Sequence, residues 1–250
     1  MSKKQGLRKI EFHEDVAPDE AVNSVDHSAL LNLIFHLSQH NRELHASYDR
    51  LLAQTAGALI KTLELKDAYT YGHSMRVTQY ALMTGREAGL TQRDMLALER
   101  AALFHDVGKV GVADCVLLKP GRLTTEEQKA MQEHPRLSAE ILELIDEFKI
   151  AVPAVLHHHE RFDGKGYPAQ LSGYNIPVPS RIILVGDTFD AMTSDRPYRK
   201  ALTVEHAYSE LRAYAGTQFD PEFVKAFIQA HHRLLLEGTD KAMIRVLKAA

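Results

Sequence analysis

One cysteine, Cys115, is all the thiol that the 250 residues contain, so neither an internal disulfide nor a thiolate-built structural zinc site is open to the chain. That scarcity fits a reducing interior, and Cys115 itself reads as a small buried side chain near a turn. An excess of one charge is missing too: 30 basic residues against 33 acidic ones leave a net charge of −3. No global basic field recruits long nucleic acid, and any phosphate must be held locally. No stretch approaches the apolar length needed to span a bilayer. Met1 is followed by the polar Ser2-Lys3-Lys4-Gln5, with no apolar signal core before Pro18, so the expected location is the cytoplasm. Strand-like alternation is nearly absent, and no internal repeat or low-complexity tract stands out.

What is present reads as helix after helix. Residues 1–26 mix charge, Pro18 and little periodicity, as a flexible arm does. From Leu30 the spacing changes: Leu30, Ile34, Leu37, Asn41, Leu44, Tyr48, Leu51, Thr55 and Ala58 alternate at four and three residues. That is a heptad seam on a long amphipathic helix over 27–58, with Asn41 as the polar position that fixes register. The seam suits a homodimer. The opposing reading, a helix packed on its own domain, rests on Leu31, Leu33, Phe35 and Leu52, which widen the apolar surface. His36 and His40, one turn apart, read as a solvated helix face.

Residues 59–250 read as one helical domain with its breaks marked by caps. Gly89 closes one helix and Thr91 with Asp94 opens the next; Thr125 with Gln128 opens another, which Pro135 ends. Pro153 starts a helix running into His157-His158-His159, Pro179 precedes an apolar one, and Thr203 and Asp220-Pro221 open two more, the second closed by Gly238. The fold class is all-α, with longer loops only at 107–123 and 160–178, and long loops in a compact domain are often functional.

Histidines and aspartates in metal-ligand contexts are scattered through this domain: His73, His105-Asp106, His134, His158-His159 and Asp187. Imidazole with carboxylate suits iron, manganese, nickel or zinc. Adjacent helical residues point about 100° apart, so His105 and Asp106 can serve different ions, or Asp106 can bridge two with its two oxygens. Asp187 interrupts the apolar run Ile182 to Val185 and Phe189, where a charge needs a partner; the alternative to a metal is Arg181. His13, His27, His45, His206, His231 and His232 lie outside the set, and His157 reads as structural.

Taken together, His105-Asp106-Val107-Gly108-Lys109, His134-Pro135, the run from His158 to Gly164-Lys165-Gly166-Tyr167-Pro168, and Asp187 to Arg199 resemble the HD-GYP family, a branch of the HD-domain metal-dependent phosphohydrolases. The likeness covers Leu59 to Phe227 and implies an HD-domain helical bundle with the HD-GYP extension. It implies hydrolysis of cyclic di-GMP to the linear dinucleotide or GMP, with His73, His105, Asp106, His134, His158, His159 and Asp187 as metal ligands and Asp106 bridging. It also implies two iron or manganese ions rather than three, because Tyr69 stands where three-metal members carry an acid. The segment after His134 departs from the family pattern by placing Ser138 where relatives commonly have glycine.

The residue types support the same chemistry. Two adjacent cations can turn a bridging water into a hydroxide that attacks phosphorus in line. Lys109, expected one helical turn past Asp106, can neutralise charge on the phosphate. Arg196 and Arg199 can grip the second phosphate, and Tyr167 can reach a phosphate oxygen from its glycine-rich loop. Lys119, Arg122, Lys165 and Arg181 read as solvated charges, and Asp163 as a brace for the glycine loop. The competing classes are a receptor that holds the dinucleotide, or a partner protein, and signals through the long helix, and an HD hydrolase of another cyclic dinucleotide.

Overall fold

The computed structural model describes residues 27–66, 72–195 and 200–236. The arm at 1–26, Tyr69, Arg196, Arg199 and Gly238 lie outside the described residues. The architecture is all-α, as expected; among the described residues the only β feature is an isolated bridge between Ala215 and Phe219. Among the described residues no helix is long and apolar enough to cross a membrane.

The first helix, α1 (His27–Lys66), crosses a division between two compact units that falls between Thr55 and Ala56. In the first unit the seam residues of α1 are exposed. In the second, Ala56, Leu59 and Ile60 pack against the core and Leu63 is buried. At the last turn, Lys66 Nζ donates to the carbonyls of Val110 at 2.6 Å and Val112 at 2.7 Å, tying this end of α1 to the segment after Asp106.

The core of the second unit is formed by α2 (His73–Glu87), α3 (Gln92–Phe104), α8 (Val178–Thr193) and α10 (Pro221–Leu236). Val77, Tyr80 and Ala81 of α2, Leu98 and Ala101 of α3, Ile182 to Val185 with Phe189 of α8, and Phe223 with Phe227 of α10 share one apolar cluster. Truncating one of its large aromatics to alanine is worth about 3–5 kcal/mol. Tyr208 of α9 (Val204–Ala213) closes it, with its hydroxyl 2.6 Å from the buried His231 Nδ1. His231 is therefore a core histidine.

Caps explain most boundaries. Thr91 accepts from the Asp94 amide at 3.2 Å and opens α3, and Gly89, at φ 70, takes the left-handed position that ends α2. The Thr203 hydroxyl caps α9 in the same way. Two caps differ from the sequence reading. The capping box of α5 (Thr125–Met131) is Thr124 with Glu127, one residue earlier than expected, because the Glu127 carboxylate reaches back to the Thr124 amide at 2.7 Å. Pro135 opens α6 (His134–Glu143) rather than ending its predecessor, since proline in a first turn forfeits no intrahelical bond.

The two long loops contain short helices: a 3-10 turn at Val107–Gly111, α4 (Asp114–Leu117), and a second 3-10 turn at Gly173–Asn175. Helix α7 (Val152–Leu156) stops before the three histidines, which lie in the turn that follows it. Two burial expectations fail. Cys115 is exposed; on its four-residue helix it is the neighbouring Val116 that is buried. Arg181 is buried rather than solvated: its guanidinium pairs with Asp220 and lies over the rings of Tyr174 and Phe223, so the cation has a full set of partners.

Candidate metal centre

Three of the histidines are aimed by one local device. Each sits at or just beyond a helix end, where carbonyls three residues back are short of intrahelical partners. His105 Nδ1 donates to the Ala102 carbonyl at 2.7 Å, His134 Nδ1 to Met131 at 2.8 Å, and His158 Nδ1 to Val155 at 2.6 Å. With Nδ1 protonated, each ring presents Nε2 as a bare lone pair. His73 at the start of α2 is held differently. Its Nδ1 donates to the buried Asp190 carboxylate at 2.7 Å, and Asp190 is gripped in turn by Arg76 at 2.6 and 3.0 Å.

These residues converge into two groups. His73, His105 and Asp187 bring one ligand atom each within 4.8 Å of the others, and so do His134, His158 and His159. Asp106 lies between them. Its Oδ2 is 3.7 Å from His73 Nε2 and 3.5 Å from His105 Nε2, while its Oδ1 is 3.4 Å from His134 Nε2. Asp187 Oδ1 is 3.3 Å from His73 Nε2, and Arg181, its alternative partner, is engaged by Asp220. All seven side chains named from the sequence thus meet in one place.

The donor atoms fit divalent cations. His134 Nε2 lies 3.3 Å from His158 Nε2 and 3.2 Å from His159 Nε2. Lone pairs at that range repel, but two imidazoles bound about 2.1 Å from one ion and about 100° apart have that nitrogen separation. His105 Nε2 and Asp106 Oδ1 are buried without a hydrogen-bond partner. A buried polar atom left bare is costly, and a cation between the groups would remove that cost.

Electrostatics divide the groups. Burial opposes a charge on His73, yet Asp187 and Asp190 outweigh it and hold its pKa up to about 9. Burial pushes His134 down to about 4 and His159 down to about 3, and it holds His158 well below the usual imidazole value. Burial would raise Asp106, but Lys109 and the surrounding imidazoles keep it well below the usual carboxylate range. Asp187 is lowered in the same way, against burial, by His73 and His105.

The turn carrying His105 and Asp106 is braced from α6. Ser138 Oγ accepts from the Gly108 amide at 2.7 Å and donates to the His105 carbonyl at 2.9 Å. A Cβ at Gly108 would fall 2.2 Å from the His134 carbonyl, so only glycine permits this approach. Lys109 lies in the 3-10 turn rather than one α-helical turn along, and its Nζ donates to Asp106 Oδ2 at 2.6 Å. It faces the shared carboxylate.

The second loop lies directly on the histidine pair. The Tyr167 amide donates to the His159 carbonyl at 3.3 Å, and its ring stacks on the His159 ring with centroids 4.9 Å apart. Burial first, then Asp106 and Asp187, pushes the Tyr167 hydroxyl pKa up. A Cβ at Gly166 would meet the Arg161 amide nitrogen at 2.3 Å. The Ala169 amide donates to Glu160 Oε1 at 2.6 Å, and Glu160 is buried beside His157, whose Nδ1 is 3.5 Å away. Asp163 accepts from the Lys165 amide and pairs with Arg161, bracing the glycine loop as expected.

Sequence reasoning missed three of these supports. Asp190 stands three residues after Asp187, one turn along a helix, and that spacing is a usable signal. Glu160 follows the histidine pair directly. Ser138 registered only as a departure from a family pattern.

The sequence pattern of the HD domain matches residues 57–223. Among curated proteins, the chain is 39% identical over 183 residues to the cyclic di-GMP phosphodiesterase response regulator RpfG of Xanthomonas campestris, covering 72% of this chain and 48% of that protein. It is 37% identical over 191 residues to the 3'3'-cGAMP-specific phosphodiesterase 3 of Vibrio cholerae, covering 76% and 42%. It is 34% identical over 203 residues to a cyclic di-GMP phosphodiesterase of Thermotoga maritima, covering 80% and 55%. The chain therefore spans about half the length of these relatives. A crystal structure of a cyclic GMP-AMP specific phosphodiesterase from V. cholerae shares the fold, with a TM-score of 0.54 and 21% identity over 70% of this chain and 48% of that one.

Proposed function

Because the chain belongs to the HD domain family, we propose that it is a metal-dependent phosphodiesterase of the HD-GYP kind that opens cyclic di-GMP to the linear dinucleotide or GMP. The observation that carries this reading is the position of Asp106, whose two oxygens face two separate three-ligand groups. That arrangement supports two ions, held by His73, His105 and Asp187 on one side and by His134, His158 and His159 on the other; iron or manganese rests on the family resemblance, and imidazole with carboxylate suits both. Bound there, the ions would supply the Lewis acidity that activates water and neutralises a phosphodiester.

The chain's own residues supply the rest. Lys109 reaches the centre beside Asp106 and adds positive charge where the phosphorane develops its negative charge. Tyr167, stacked on His159, carries a hydroxyl whose raised pKa keeps it a hydrogen-bond donor for a phosphate oxygen. Arg196 and Arg199 are assigned to the second phosphate on sequence grounds. A hybrid guanine-adenine dinucleotide is the second substrate reading, favoured by the names of relatives as similar to this chain as the cyclic di-GMP enzymes are.

The experiment is metal analysis of protein purified without air, paired with separation of products from cyclic di-GMP, 3'3'-cGAMP and cyclic di-AMP. Two ions per chain and cleavage of the first are expected. Binding of one dinucleotide with no product from any would replace the enzyme with a receptor. The exposed seam of α1 extends the reading to assembly: the chain pairs with a second copy through the helix at 27–58. Light scattering of the chain with and without residues 1–58 tests that, and an unchanged number of chains per particle would remove it.

A further inference from the structure

In the first unit the seam side chains Leu30, Ile34, Leu37, Leu44, Tyr48 and Leu51 are 45% to 60% exposed, a continuous apolar stripe of the kind that marks an interaction surface. Leucine recurs every seventh residue, at 30, 37, 44 and 51, and Ile34, Asn41, Tyr48 and Thr55 occupy the alternate seam positions. Leucine throughout one seam position, with β-branched Ile34 and Thr55 and a single asparagine at the other, follows the pattern of a parallel two-stranded coiled coil, from which Tyr48 departs. It also identifies the occupant. Asn41 satisfies its amide best against another Asn41, which only a second copy in register supplies.

In such a pair, the residue flanking the seam just before Asn41 on one helix faces the flanking residue five positions later on the other. Here those residues are His40 and His45. His36 lies one turn before His40 on the same helix, so the two rings share a face. Resting on the dimer reading above and independent of the phosphodiesterase reading, we propose that each flank of the Asn41 layer is a three-histidine site for a divalent transition ion, zinc foremost. Its ligands are His36 and His40 of one protomer and His45 of the partner subunit.

The monomer already prepares one ligand. His45 Nδ1 donates to the Asn41 carbonyl at 2.9 Å, leaving Nε2 as the lone pair, just as backbone carbonyls aim His105, His134 and His158. Three neutral imidazoles without a carboxylate suit zinc, nickel or copper rather than magnesium or calcium. Two-fold symmetry makes two such sites per dimer, one on each side of the seam.

The test is sedimentation of the full chain, its catalytic centre loaded with manganese, diluted through dissociation with and without added zinc. Zinc is expected to tighten association at least about tenfold by binding only the paired state. The shift should vanish in His40→Ala and His45→Ala, which keep wild-type turnover with manganese. Asn41→Cys in a Cys115→Ser background should oxidise to a covalent dimer, reporting the parallel register. Association that ignores zinc, or a zinc effect that survives both histidine variants, overturns the site. A chain that stays monomeric at every concentration removes the seam while leaving catalysis standing; a zinc-tightened dimer without turnover keeps the site and removes the enzyme.

Discussion

His73 and His134 lie 3.7 and 3.4 Å from oxygens of the same Asp106 carboxylate, yet their pKa values move in opposite directions, to about 9 and about 4. Distance to the shared anion is not what separates them. Behind His73 stand two further carboxylates, Asp187 and Asp190; behind His134 stand a main-chain carbonyl and more imidazoles. In the metal-free protein the first group stores a proton and the second stores none. A cation entering the first must displace that proton, while the second receives it with bare lone pairs.

Removing the shared ligand erases the comparison. Asp106→Ala should strip both groups: metal content falls to background and turnover drops by more than about 100-fold, because partners one step further from a metal already cost about 10–100-fold. An ion retained by either group at full affinity would show that Asp106 is not common to both. Asp190→Asn should make His73 resemble its counterparts, since the amide keeps the shape and loses the charge. Metal titration should then show about 10–100-fold weaker binding at one group only; equal loss at both would mean that the groups are one electrostatic unit.

Acidity sharpens the contrast without mutation. The folded pKa of His73 is raised from 6.5 to about 9, so its stabilisation is complete below pH 6.5 and is lost as pH rises to about 9. His134 and His159 are depressed from 6.5 to about 4 and about 3. The unfolded chain therefore binds more protons below pH 6.5, and stability falls as pH falls through that window. Thermal melts of chelated protein should peak near pH 6.5, and metal loading should flatten the alkaline side, where no proton is left to lose. A monotonic pH profile would contradict the opposed shifts.

Smaller effects probe the braces. Ser138→Ala leaves the Gly108 amide without its acceptor and should cost about 1–3 kcal/mol, read as a lower Tm at unchanged metal content. Glu160→Gln weakens the acceptor of the Ala169 amide, worth about 1 kcal/mol, and removes the charge beside His157. It should raise KM a few-fold through Tyr167, leaving metal content and kcat in place; a kcat loss with KM unchanged would move Glu160 from loop support to the reaction itself.

The helical class was legible because caps are local signals, and the meeting of the seven side chains because the motifs that carry them resemble those of a known family. What failed was set by packing at a distance. Arg181 looks solvated until Asp220, 39 residues on, arrives beside it. Cys115 looks buried until the fold turns its neighbour Val116 inward instead. Pro135 marks a boundary in either reading, and only the chain's path decides that it begins a helix. Asp190 left only its spacing from Asp187 as a signal, and Glu160 and Ser138 were harder still to read as supports, because each acts on a residue brought close by the fold.

The carbonyls that aim His105, His134 and His158 belong to the main chain of Ala102, Met131 and Val155. Every amino acid carries that same oxygen, so no side-chain replacement at 102, 131 or 155 deletes the acceptor. What limits replacement at Ala102 and Val155 is the packing of two fully buried side chains, not the aim of the imidazoles. His73 has no such insurance, and a single base change in the codon for Asp190 is enough to unmoor it.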